Sequence, residues 1–515
     1  MLSRVWSGAV HGVDALPIEI ETHIEPGLPA WTVVGLPDGA VRESRDRVWA
    51  ALKNAGLPSP RGRITVNLAP ADVRKEGSAY DLPLALGLLA ALGAGIEQRA
   101  LDDLVIVGEL SLDGSLRPVR GVLPMAAGAR RDGRRGVVVP VDNAPEASVV
   151  EGLEVYAVRT LEEAYRLLAE GRGTPFRRDL DTLFDEARTD AVDFSDVRGQ
   201  EGIKRALEVA AAGGHNVLMV GPPGAGKTML ARRLPTILPP LTPDEALETT
   251  KIHSVGGVLN GSARRGLVAT RPFRAPHHTI SNAGLCGGGP NPMPGEISLA
   301  HNGVLFLDEL PEFDRAVLEV LRQPLEEGSV TIARARSTVE YPARFMLVAS
   351  MNPCPCGHLN DPTRACVCAP GQVQRYLAKL SGPLLDRIDL HVEVTPVPFA
   401  DLNRTAPAEP SAAVRARVVE ARKKQAERLA QERHPVHCNA QMSAPQVRRH
   451  CRLDAAGQAL LQQALTRLGL SARAYDRILK VARTIADLAG AEEVAVPHLA
   501  EAIQYRSLDR AGWAG

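Results

Sequence analysis

The sequence predicts an α/β protein built in three parts: two α/β domains in tandem and a helical C-terminal domain. Three observations carry that prediction. Strand-like runs alternate with apolar helical stretches from residue 1 to about 170, and again from 197 to 400. Inside the second block a glycine-rich loop, residues 221–228, stands between an apolar run and a helical one. Beyond Pro410 strand signals nearly vanish, and Ala-, Leu- and Arg-rich stretches predict helices.

Composition sets the outer bounds. A chain of 515 residues has room for about three domains. Its 60 Lys+Arg and 60 Asp+Glu cancel, which excludes binding of nucleic acid by bulk charge alone. With 45% apolar and 23% charged residues it reads as globular. Aromatics at 4% are too few for a ladder of base-stacking platforms. The longest uncharged run, Leu82–Ile96, is 15 residues and interrupted by Pro83 and glycines, so it reads as a buried helix, too short to cross a bilayer. The opening Met1-Leu-Ser-Arg-Val-Trp lacks the apolar core of a secretion signal. Seven cysteines, an odd number, point to a reducing compartment. The expectation is a cytoplasmic protein without a membrane partner.

In chain order, residues 1–170 form the first domain, with strands expected at Ile64–Leu68, Val105–Gly108 and Val137–Pro140. Residues 171–196 read as an acidic linker: from Asp179 to Asp196 seven acids face one base, Arg188, a run of −6. Residues 197–400 form the second α/β domain and 401–515 the helical one.

The second domain carries the strongest motif. Gly221, Pro222, Pro223, Gly224, Ala225, Gly226, Lys227 and Thr228 match G-x-x-x-x-G-K-[ST], after the strand-like Asn216–Val220 and before a helix. Such a loop turns backbone N–H groups toward phosphate oxygens at the positive end of a helix. Lys227 would reach the β- and γ-phosphates of ATP and Thr228 would ligate Mg²⁺. Eighty residues on, the apolar run Val304–Leu307 ends in Asp308-Glu309, delivering carboxylates to the sheet edge where ligands bind. Asp308 would hold the Mg²⁺ and Glu309 would polarise the attacking water. A third strand, Phe345–Ser350, ends at Asn352, whose amide can orient that water. Arg387, in Leu384-Leu-Asp-Arg-Ile-Asp389, is placed to serve a neighbouring subunit's nucleotide, the bland alternative being a salt bridge with Asp386 or Asp389.

These segments, with Val197-Arg-Gly-Gln-Glu-Gly and Pro294-Gly-Glu-Ile-Ser-Leu-Ala-His-Asn-Gly, resemble the magnesium-chelatase-like branch of the AAA+ ATPases. Over nearly its whole length the chain is similar to the bacterial ComM/YifB family. The resemblance implies a P-loop AAA+ α/β core with a helical lid, Asn352 as sensor 1, Arg387 as arginine finger and Arg473 as sensor 2. It also implies a homo-oligomeric ring, expected to be a hexamer, acting on single-stranded or branched DNA without reading sequence. In that branch an insert and a hairpin project into the pore. The matching segments here are residues 256–295, with Arg264, Arg265, Arg271, Arg274 and no acid, and 330–341, with Arg334 and Arg336 near a turn. The stretch Pro445–Arg483 carries eight bases and two acids.

Residues 1–170 resemble the proteolytic domain of Lon, with its S5 domain 2-like α/β fold, which cuts peptides with a Ser–Lys dyad. Aligned on Lys75-Glu-Gly, the nucleophile column holds Ala79, with Ser78 one place early, and Leu123 stands where the base is expected. Both halves of the dyad depart, so proteolysis is not expected, and a role in assembly or DNA binding takes its place. A remaining Ser78–Lys75 arrangement would span three positions of one loop.

Cys354, Cys356, Cys366 and Cys368 form two C-x-C pairs after the sensor strand. Four thiolates suit a structural Zn²⁺ with no open position for substrate, although C-x-C is tighter than the usual C-x₂₋₄-C; reduced thiols in an exposed loop are the alternative. Cys286, Cys438 and Cys451 read as ordinary thiols, and His277-His278 as hydrogen-bonding groups. The function expected is an ATP-driven motor that promotes branch migration on DNA during natural transformation and recombination. The alternative is a magnesium-chelatase-type ATPase that remodels a partner protein; a non-enzymatic scaffold and an ATP-dependent protease fit less well.

Overall fold

In the computed structural model, β1 (Leu2–His11) and β2 (Asp14–Glu25) form a long antiparallel hairpin in register from Leu2↔His23 to His11↔Asp14. Its two-residue turn needs positive φ, and Gly12 supplies it at φ +63. The structure describes residues 2–178, 192–259, 266–289, 292–334, 337–359, 364–397, 408–430, 436–469 and 472–506. The hairpin is extended by β3 (Ala30–Val34), β4 (Arg63–Ala69), β5 (Leu104–Ile106), β8 (Gly136–Pro140) and β9 (Glu154–Val158) into a seven-stranded mixed sheet, ordered β3-β4-β2-β1-β5-β8-β9. The short pair β6 (Glu109–Leu110) and β7 (Leu116–Arg117) lies outside that sheet.

One face of this sheet packs on the helix Asp81–Ala91, buried at almost every position, and on the helices Gly39–Asn54 and Leu161–Glu170. The uncharged run from Leu82 thus becomes a core helix, as an apolar segment of that length should. The other face gives Val105, Val137, Val139 and Val155 to a core shared with Leu241, Ala246 and Leu267 of the second domain. Polar contacts seal the junction: the Gly121 N–H donates to the Ser254 carbonyl at 3.2 Å, and Ser254 Oγ to the buried Glu146 at 2.7 Å.

The second sheet is parallel and five-stranded, ordered β11-β14-β17-β10-β18. It comprises β10 (Val217–Val220), β11 (Phe273–Arg274), β14 (Val304–Leu307), β17 (Met346–Met351) and β18 (Leu390–Glu393). Two small antiparallel pairs stand apart: β12 (Gly287–Gly288) with β13 (Met293–Pro294), and β15 (Ser329–Arg334) with β16 (Ser337–Pro342). β10 and β14 are continuous apolar runs because both faces are covered. Val217, Met219, Val304 and Phe306 face one core, and Leu218, Val220, Leu305 and Leu307 the other. The first core includes the C-terminal helices Ser411–Leu429, Ala455–Leu468, Ala472–Leu488 and Val496–Gln504, through Val418, Leu461, Ile485 and Leu499. No strand is found among the described residues after Glu393.

Two expectations need adjusting. The acidic run reads as solvated, yet its end is folded in: Asp193 accepts from Ser195 N at 2.8 Å and Ser411 N at 3.1 Å, and Asp196 pairs with Arg233 at 2.8 Å. Its earlier acids, Asp179–Asp190, lie outside the described residues. The basic insert is not a free cationic loop at Arg271 and Arg274. Arg271 donates to the carbonyls of Pro239 (2.6 Å) and Asn302 (2.7 Å) and pairs with Glu245 (3.0 Å), while Arg274 pairs with Glu296 at 2.6 Å. A guanidinium buried among carbonyls and a carboxylate is a structural clamp, because desolvation demands those partners. Arg264, Arg265 and Arg336 lie outside the described residues. No described helix is long and apolar enough to cross a membrane.

Candidate nucleotide site

The register of the parallel strands assembles the site. Val220 pairs with Met351, and Leu307 with Ala349, so Gly221, Asp308, Ser350 and Asn352 emerge together at the carboxyl edge. This is where open α/β sheets bind ligands. Gly221 has no room for a side chain: a Cβ there would come 2.2 Å from the Val394 carbonyl oxygen. Gly224 (φ +78) and Gly226 (φ +88) hold the left-handed backbone that turns the loop into the helix Lys227–Ile237. Pro222 and Pro223 stiffen its entry, and Ala225 is buried beneath it. Gln200 braces the loop from outside, its amide nitrogen donating to Ala225 O at 2.9 Å and Thr395 O at 3.0 Å.

Lys227 Nζ donates to the carbonyls of Gly221 (2.7 Å) and Pro222 (3.0 Å) and to Asn352 Oδ1 (3.1 Å). Burial pushes its amine below the usual value, opposed by Asp308 and Glu309. Among the described residues its hydrogen-bond partners include no carboxylate, so an incoming phosphate would meet an ammonium held by neutral oxygens. Thr228 Oγ1 donates to Asp308 Oδ2 at 2.6 Å, and Ser350 Oγ donates to the other oxygen of the same carboxylate. A hydroxyl and a carboxylate side by side, backed by a second hydroxyl, are the hard oxygen donors that Mg²⁺ takes beside nucleotide phosphates. Glu309 begins the next turn at φ +54, its carboxylate exposed and 3.8 Å from His278 Nδ1.

The remaining candidates stand further off. Arg387 follows the short helix Gly382–Leu385 and is buried, paired with Glu326. Asp389 instead pairs with Arg477 on the helix Ala472–Leu488, and with the buried His215. Burial alone would raise the Asp389 carboxyl; the Arg477 guanidinium overrides it and holds the group well below the carboxylate range. Arg473 belongs to the first turn of that helix, and its side chain lies outside the described residues. The sequence reasoning did not single out Gln200, Ser350 or the Arg477–Asp389 contact. For Ser350 the signal is present, since it stands two places before Asn352 on the same strand.

The four cysteines converge. Cys354 Sγ lies 3.4 Å from Cys356 Sγ and 3.7 Å from Cys366 Sγ, the latter two are 3.5 Å apart, and the Cys356 N–H donates to Cys368 Sγ at 3.3 Å. All four sulfurs lie within 4.8 Å of one another. Tetrahedral Zn–S bonds of about 2.3 Å imply sulfurs about 3.8 Å apart, so the cluster has the right size for one zinc ion. The cluster also leans on the phosphate loop: a Cβ at Gly357, where φ is +83, would stand 2.5 Å from Pro223 Cδ.

In the first domain the corresponding polar groups are dispersed. Ser78 Oγ donates to Glu109, and the Lys75 amine to the Pro70 carbonyl. The Ala79 carbonyl accepts from Gly108 N at 2.9 Å, and Leu123 is wholly buried in the helix Val122–Arg131. Nearby, Asp81 is buried and accepts from Arg47 at 2.6 and 2.9 Å and from Leu110 N at 3.2 Å.

Comparison with known proteins finds matches along most of the chain. Residues 193–402 match the family model described as magnesium chelatase, subunit ChlI; residues 20–143 match subunit ChlI of Mg-chelatase, and residues 408–506 its C-terminal model. The competence protein ComM of Haemophilus influenzae is 46% identical over 513 residues, 99% of this chain and 98% of that one. YifB of Escherichia coli is 45% identical over 510 residues, again 99% and 98% of the two chains. Lon protease 2 of Bacillus subtilis is 28% identical over 122 residues, 23% of this chain and 21% of its own. With a Lon-protease-like first domain, a magnesium-chelatase-like AAA+ ATPase core and a helical C-terminal region, the chain belongs to the ComM/YifB family.

Proposed function

We propose that the protein is an ATP-hydrolysing ring motor that acts on DNA and drives branch migration in natural transformation and recombination. The observation that carries the hydrolytic half is the convergence of Lys227, Thr228, Asp308, Glu309 and Asn352 at one sheet edge. ATP binds in the loop 221–228 with its phosphates at Lys227, and Thr228 and Asp308 hold the Mg²⁺, which offsets phosphate charge. Glu309 polarises the attacking water, Asn352 orients it, and Arg387 of one subunit serves the nucleotide of the next. For that last role Arg387 must exchange Glu326 for the neighbouring phosphate. Arg473 reports nucleotide state to the lid.

The DNA half draws on the name ComM carried by a relative of equal length, and on the hairpin β15–β16. That hairpin anchors Val330, Ile332, Val339 and Tyr341 in the core and leaves Arg334 exposed toward its tip. Arginines on such tips track phosphates without reading bases. The ring is a homo-oligomer, taken to be a hexamer, and works in the cytoplasm. A structural Zn²⁺ on Cys354, Cys356, Cys366 and Cys368 belongs to the same reading.

The test is ATP turnover with and without single-stranded and forked DNA, with Lys227→Ala as control. Stimulation by DNA and ATP-dependent strand displacement are expected. Turnover indifferent to DNA but raised by a partner protein would favour the chelatase-type reading, which the family models support. One zinc per chain by elemental analysis, lost in Cys356→Ser/Cys366→Ser, is expected for the cluster; metal-free wild-type protein would refute it.

A further inference from the structure

Parallel pairing of β11 with β14 aligns Phe273 with Val304 and Arg274 with Leu305. Both segments leave the sheet at the carboxyl edge, and four residues beyond Arg274 and Leu305 stand His278 and Glu309. Their side chains meet, with Nδ1 of His278 3.8 Å from Oε2 of Glu309. Asp308, by contrast, is held by Thr228, Ser350 and the Glu309 N–H.

The imidazole is fixed on two further sides. It lies against His277 with ring centroids 4.1 Å apart, and presents an edge contact to Phe313 at 6.4 Å and 77°. His277 is itself tethered, its Nδ1 2.9 Å from Thr279 Oγ1. Phe313 is buried and closes the turn that Glu309 opens, where Glu312 N donates to Glu309 O at 2.8 Å. His278 therefore touches both ends of the turn that presents Glu309.

We infer that His278 is a positioning residue for Glu309, holding its carboxylate at the sheet edge where the attacking water is polarised. The inference rests on the proposed role of Glu309. A freely rotating carboxylate spends most of its time off the productive line, and misplacement of a catalytic group by about 1 Å can cost about a hundredfold in rate. The exposed carboxylate has a stiff neighbour whose ring nitrogen lies 3.8 Å away, and that contact restricts its rotamers.

The experiment compares three single variants of the full-length protein for ATP turnover and for affinity toward a fluorescent ATP analogue. His278→Phe keeps the contact with Phe313 and removes the ring nitrogen that faces Glu309; it should lower kcat roughly tenfold with nucleotide affinity unchanged. His278→Asn returns an N–H close to the Nδ1 position and should recover most of the rate. In a Glu309→Gln background, His278→Phe should have no further effect, because the group it positions is gone. Wild-type turnover in His278→Phe, or an Asn variant no faster than the Phe variant, would overturn the inference. Should Glu309→Gln itself turn over normally, the role of Glu309 fails, and that outcome is distinct from a failure of His278 alone.

Discussion

The two α/β domains begin from similar materials and end differently. Each presents polar residues on a loop that enters a helix: Lys75–Asp81 before the helix Asp81–Ala91, and Gly221–Lys227 before the helix Lys227–Ile237. In the second domain Lys227 leans on neutral oxygens, and Thr228 meets Asp308 across the sheet edge. In the first they are shared among unrelated partners, Ser78 with Glu109, Lys75 with Pro70 and Asp81 with Arg47. A site stays chemically available when its polar groups are held by partners that a ligand can replace. It becomes framework when each is satisfied by a buried neighbour whose loss would cost stability.

The largest expected effect breaks the comparison from the ATPase side. On the proposed function Lys227→Ala removes the ammonium that would meet the phosphates, and turnover should fall more than about a thousandfold, equivalent to about 4 kcal/mol of barrier. Steady-state phosphate release measures it. The fold should persist, since the amine's partners are two carbonyls and an amide at the protein edge.

Next comes the opposite pattern in the first domain. Asp81→Ala leaves the Arg47 guanidinium, now short of its carboxylate, beside a core helix, and should cost about 3 kcal/mol of stability. Thermal or urea unfolding reads the loss, while turnover per folded molecule stays near wild type. If turnover collapsed with stability intact, Asp81 would belong to a working site.

These contrasts mark how far sequence reasoning reaches. The phosphate loop, Asp308-Glu309 and Asn352 are legible because each lies at the end of a continuous apolar run. Burial on both faces of a parallel sheet writes that pattern locally. The departures at Ala79 and Leu123 are equally legible, being single residues in an aligned loop. His278 beside Glu309 and Glu326 against Arg387 are not, because they follow from register and packing between segments 31 and 61 residues apart in sequence. A charge count also misleads in both directions. Arg271 and Arg274 look free to grip a polymer until Glu245 and Glu296, outside or at the margin of the insert, are seen to claim them. Asp193 and Asp196 look solvated until Ser411 and Arg233 come into view.

A smaller effect tests the framework of the C-terminal lid. The buried His215 is held neutral by burial, its pKa lowered despite Asp389, and the Asp389 carboxyl is held below the carboxylate range by Arg477. Both folded values lie below the unfolded ones, so both groups contribute stability that is present at neutral pH and lost as pH falls. His215 gives it up below about pH 6.5 and Asp389 only below about pH 4. Between pH 7 and 5.5 the urea midpoint should drop by the equivalent of about 1 kcal/mol, and His215→Gln should flatten that slope. A slope unchanged in the variant would remove His215 from the account.

The smallest effect is the sharpest for the first domain. Ser78→Ala deletes the hydroxyl that Glu109 accepts from, but the Glu109 carboxylate is partly exposed and lies 3.9 Å from Arg117. It keeps water and a cation, so the loss should stay below about 1 kcal/mol. ATP turnover, its response to DNA and the absence of casein cleavage should all match wild type. A nucleophilic serine would need a base within hydrogen-bonding reach, whereas the Lys75 amine is turned to the Pro70 carbonyl. Any peptidase activity that disappeared with Ser78→Ala and survived Lys227→Ala would therefore require the loop to rearrange, turning Lys75 from Pro70 toward Ser78. The framework reading of the first domain would then fail at the residue where its departure from Lon is smallest.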